Sequence, residues 1–130
     1  MKRILLSCFL LTAVIGVAPI QHASAYSAPA PVTTAAFTAK VNLMDTQIGA
    51  GNITAAQATW DEIHNMMLSV LAVSKTSIQG AATPAIKASH EAILSNQIVI
   101  YQAAWNLKPN LAANRVPLKA KLLEFAATIY

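Results

Sequence analysis

The stretch from Thr54 to Gln79, TAAQATWDEIHNMMLSVLAVSKTSIQ, contains no Gly or Pro and repeats its apolar residues at a helical period. On a wheel of about 100° per residue, Ala56, Trp60, Ile63, Met67, Val70, Leu71, Ser74 and Ile78 crowd one side. Asp61, Glu62, Asn65, Ser69 and Thr76 take the other. This pattern predicts a long amphipathic helix, so the rest of the chain must supply partners for its apolar face. Thr54 and Gln57 stand at capping-box spacing behind Ile53, which sets the expected start.

Gly80 closes this helix, and Thr83-Pro84 opens the next, where Pro at the first helical position loses no hydrogen bond. The third helix is expected to run to about Asn106. It places Ile86, His90, Ile93, Leu94, Gln97, Ile100, Tyr101 and Ala104 on one face, with Lys87, Glu91, Ser95 and Gln102 towards the other. Ahead of the central helix, Phe37, Val41, Met44 and Ile48 form one stripe, predicting a first helix from Thr33 or Thr34 to about Ile48. Gly49-Ala50-Gly51-Asn52 stops it, because Gly readily adopts the left-handed conformation that ends helices. Leu107 to Val116 reads as a loop with room for one helical turn. Pro117 begins a short final helix carrying Leu118, Leu122, Phe125, Ala126 and Ile129. No segment shows the strand period of 2. The first two helices have the length of a TPR unit without its signature Trp, Gly, Tyr and Pro positions. The fold class is therefore all-α: a small antiparallel bundle of about four helices, two long inner and two short outer.

The N-terminus has a different character. Lys2 and Arg3 precede an apolar run from Ile4 to Val17, followed by the small-x-small site Ala23-Ser24-Ala25. This predicts a signal peptide over residues 1–25, cut before Tyr26. The run is shorter than the roughly 20 residues of a membrane span. Leu5-Leu6-Ser7-Cys8 has too little apolar sequence ahead of it for a lipoprotein signal. The protein is expected to be exported, periplasmic or secreted, with no membrane span after cleavage. Residues 26–33 form a Pro/Ala-rich spacer, expected to be extended, and residues 34–130 a single helical domain.

Cleavage removes the only cysteine, Cys8, so the mature chain cannot form disulfides, a CxxCH haem attachment, a thiolate metal site or a thiol nucleophile. It also removes Lys2 and Arg3, leaving seven basic residues against five acidic ones and lowering the net charge from +4 to +2. Such a balance implies no nucleic-acid partner. Asn52-Ile53-Thr54 matches a glycosylation sequon, which has meaning only in a eukaryotic secretory route.

Asp61 and His64, at i and i+3, have the spacing by which helical bundles place a carboxylate and an imidazole on one metal. If the two long helices fold back about Gly80 to Thr83, however, His64 and His90 lie about 13 Å apart along the bundle axis, at 1.5 Å per residue. They cannot share a metal in one subunit. Met44 and His64 are conceivable axial haem ligands, but the last helix offers no His, Met or Tyr before Tyr130. No GxSxG elbow or Gly-rich phosphate loop occurs. No catalytic residue, metal ligand or cofactor is assigned. A metal- or haem-binding bundle remains a remote alternative.

Helix lengths direct attention elsewhere. The short outer helices should both cover the open end of the central hairpin, where Trp60 and Trp105 are expected as core anchors. The closed end carries Val70, Leu71, Val73, Ile78, Ile86, His90 and Ile93 with no evident cover. Contiguous apolar surface of this kind marks a protein partner or a homo-oligomer contact. The expected function is accordingly non-catalytic binding, through self-association or a partner, at the apolar tip of the hairpin. The alternative is a small apolar ligand in a pocket lined by His90, Gln97 and Tyr101.

Overall fold

The computed structural model describes residues 30–130, so the expected signal peptide and most of the spacer lie outside the described residues. Four α-helices follow in order: α1 (Thr34–Gly49), α2 (Ile53–Gln79), α3 (Pro84–Leu107) and α4 (Arg115–Ala126). A 3-10 turn, Lys108–Asn110, lies between the last two, and no strand occurs among the described residues. Helix α1 packs on α2, α2 on α3, α3 on α4, and α4 back on α1, closing an antiparallel four-helix bundle.

Helix ends follow local chemistry. The side chains of Thr33 and Thr83 accept the backbone N–H groups of Ala36 and Ile86, capping α1 and α3. Gly51, at φ +75°, makes the left-handed turn into α2 that a residue with a Cβ would resist. Two expected starts need correction. Helix α2 is capped by Asn52, whose Oδ1 accepts from Ala55 N–H, so Thr54 already lies inside the helix. Helix α4 begins at Arg115, two residues before Pro117. The proline still sits in the first turn, where backbone N–H groups have no helical acceptor.

The core is the four apolar stripes brought together. Phe37, Val41 and Met44 from α1 meet Trp60, Ile63 and Met67 from α2 and Leu118, Leu122 and Phe125 from α4; each is at most 1% exposed. Burying each such side chain contributes about 1.5–3 kcal/mol. Phe37 and Phe125 stack with ring centroids 5.5 Å apart, joining α1 to α4. Val32 packs against this core, so the last part of the expected spacer is already part of the domain.

The residues after α4 extend the cover. Thr34 donates its hydroxyl hydrogen to the Ile129 carbonyl at 3.3 Å. Gln97 Nε2 donates to the Thr128 carbonyl at 3.2 Å, and Tyr130 stacks on His90. The chain terminus therefore lies along α3 as far as His90. The hairpin is covered further towards its closed end than helix lengths alone imply.

Candidate interaction surface

Helices α2 and α3 are joined by His64 and Tyr101, whose Nε2 and hydroxyl share a hydrogen bond of 2.9 Å. Both side chains are half-buried and lie at the outer seam between the helices. Residues four, seven and eleven positions apart share a helix face. Along α3 this gives the line Leu94, Ile98, Tyr101 and Trp105, and the register places Leu68 of α2 level with Ile98. Leu68 is 44% exposed, Ile98 39% and Trp105 43%, while Leu94 is half-buried. Trp105 lies in an aromatic group, its ring centroid 5.0 Å from His64, 6.3 Å from Tyr101 and 6.4 Å from buried Trp60. The Lys108 ammonium sits 5.5 Å from the centre of the Trp105 ring, within cation–π range.

Charges around the bundle are mostly spent in pairs. Lys40 pairs with Glu62, Lys87 with Glu91, Lys121 with Glu124, and both Arg115 and Lys119 with Asp45. Among the described residues, Asp61 is the one side-chain carboxylate outside an ion pair, and Lys75 and Lys108 are the corresponding cations. On the wheel, Asp61 and Lys75 line up with Leu68, and Lys108 with Tyr101. All three unspent charges border the apolar face of α2 and α3.

The residues expected to bind at the hairpin tip are divided by the structure. Val70, 7% exposed, belongs to the core, and half-buried Leu71 packs against it. Gln97 is fully buried; its Nε2 is bonded to Thr128 and its Oε1 has no partner. His90 shares a 3.3 Å contact with the Tyr130 hydroxyl, and Ile93 and Ile78 are half-buried. Ile86, 44% exposed on α3, and Val73, 56% exposed on α2, remain open towards the closed end. His90, Gln97 and Tyr101 are thus held by three separate partners, Tyr130, Thr128 and His64, rather than gathered round one cavity. Trp105 also departs from expectation. Its position at the edge of the apolar stripe of α3 puts it outside the core that holds Trp60.

His64 and His90 sit in separate neighbourhoods, and Met44 lies in the core while His64 lies on the outer seam. Among the described residues, no three His, Cys, Asp or Glu side chains are placed to hold one metal ion. An open groove of about 450 Å³ runs between α1 and α4, lined by Asp45, Arg115, Val116, Lys119, Ala120 and Leu123. Its charged groups face one another: Arg115 Nε donates to Asp45 Oδ1 at 2.7 Å and Lys119 Nζ to Oδ2 at 2.9 Å. These bonds hold the Asp45 carboxyl down at about 2, and the same pairing raises Arg115. No described helix is long and apolar enough to cross a membrane. Compared with known proteins, the chain matches no protein-family model, no curated protein and no solved structure.

Proposed function

We propose that this chain is an exported, non-catalytic binding protein whose working surface is the outer apolar face of α2 and α3. The single observation that carries this is the set of Leu68 on α2 with Ile98 and Trp105 on α3, each more than a third exposed, beside half-buried Leu94, Tyr101 and His64. Isolated apolar side chains on a surface need no explanation, whereas a contiguous set does. Tryptophan and tyrosine are also the side chains that contribute most to binding when a partner removes them from water. Val70 and Gln97 are drawn into the core, which favours the side of the hairpin over its tip as the working surface.

Site-directed photo-crosslinking in the native envelope tests this. A crosslinking side chain at Ile98 should capture a protein partner, while the same group at Val116, 77% exposed on α4, should not. Equal capture from both positions, or none from Ile98, would overturn the proposal.

A further inference from the structure

Asp61, Leu68 and Lys75 stand seven residues apart on α2 and are all exposed. Seven residues are close to two full turns, so the three form one line, with an anion about 10 Å before Leu68 and a cation about 10 Å after it. Such a line is complementary to its own reverse. Turned end for end about Leu68, it sets each carboxylate against an ammonium and each leucine against a leucine.

We propose that the occupant of this face is a second copy of the same chain, docked antiparallel about a two-fold axis through Leu68 and Ile98. Asp61 of each copy then meets Lys75 of the other. This rests on the interaction face described above and adds its occupant and register. The contact is isologous and closes on itself, as two-fold interfaces do. The same axis brings Leu94 of one copy over Tyr101 of the other, so α3 contributes apolar contact on both sides of Ile98.

Charge complementarity favours this occupant. Every other side-chain carboxylate among the described residues already has a cation within its own chain, and the one that does not is about four turns from an unpaired lysine on the same line. An acidic partner or an anionic lipid surface would call for a rim of one sign. The line on α2 carries one charge of each.

Sedimentation equilibrium of the chain from Tyr26 onward provides the test. The wild type should show a reversible monomer–dimer equilibrium, and Leu68→Asp, at an exposed position, should be monomeric with unchanged helical circular dichroism. Asp61→Lys should weaken the dimer about tenfold or more, since two symmetric attractions become repulsions. Adding Lys75→Asp should restore affinity to within about threefold of wild type. A wild type that stays monomeric at millimolar concentration would overturn the proposal, as would a charge-swapped double variant no tighter than Asp61→Lys. If the pure chain is monomeric while the Ile98 probe captures a different envelope protein, only the second copy is wrong. If the Ile98 probe captures nothing, the interaction face fails with it.

Discussion

The hydroxyl of Tyr101 and Nε2 of His64 lie 2.9 Å apart, a polar tie between α2 and α3 across their outer seam. Both groups lie in the seam beside exposed Trp105. Tyr101→Phe should cost about 0.5–1.5 kcal/mol in urea unfolding. The same substitution should loosen the seam, seen as faster amide exchange at the centre of α3 than at Phe125. Unchanged stability and exchange would mean that apolar packing alone sets the register.

Asp45 ties α1 to α4 through Arg115 and Lys119, and the pairing gives a signed pH dependence. Its carboxyl is lowered from 3.8 to about 2, chiefly by the Arg115 hydrogen bond and then by that of Lys119. A carboxylate depressed in the folded state stabilises above its unfolded value, and the contribution is lost as pH falls through the folded value. With both cations partly exposed, the effect should be about 1 kcal/mol. Thermal unfolding of wild type and Asp45→Asn should therefore differ at pH 5 and converge between pH 4 and pH 2.

Gly49 leaves room for that pairing. A Cβ added there would stand 2.7 Å from Arg115 Nη1. Gly49→Ala gains helix propensity of about 1 kcal/mol in isolation, yet it should push the guanidinium off Asp45 and so stabilise less than that. In the Asp45→Asn background the obstruction matters less, and the alanine should be more favourable. Additive effects in this cycle would show that Arg115 moves aside at no cost.

Gln97 is fully buried with Oε1 unpartnered. Gln97→Leu removes that unsatisfied oxygen, and the half-buried Thr128 carbonyl can turn to water, so stability should stay within about 1 kcal/mol of wild type or rise. Gln97→Glu places a charge in the same site and should cost more than about 2 kcal/mol near neutral pH. Chemical denaturation of the two variants separates these outcomes.

Much of the bundle was legible in the residues. The stripe through Phe37, Val41, Met44 and Ile48, and the Thr83-Pro84 start, are local patterns that packing did not override. The start of α2 was misplaced because Asn52 and Thr54 are both capping residues, and only the left-handed turn at Gly51 decides between them. The exposed apolar face proposed for binding was harder to read from the sequence. Where Thr128 to Tyr130 lie depends on the docking of α4, and their contacts with Gln97 and His90 moved cover onto the expected site. Trp105 illustrates a limit of helical periodicity. A residue at the edge of a stripe turns inward or outward according to its neighbour, here Trp60 beneath it and Lys108 above.

The most direct measurement uses the absence of cysteine after residue 25. In single-cysteine variants, Leu68→Cys places its thiol on the two-fold axis, and mild oxidation should convert it rapidly to a disulfide-linked dimer. Asp61→Cys alone should not crosslink, because its two copies lie about 20 Å apart along the axis. Mixed with Lys75→Cys, it should give the heterodimer. Failure of Leu68→Cys to crosslink, or equally fast crosslinking of Val116→Cys on α4, would contradict an antiparallel second copy on the face of α2 and α3.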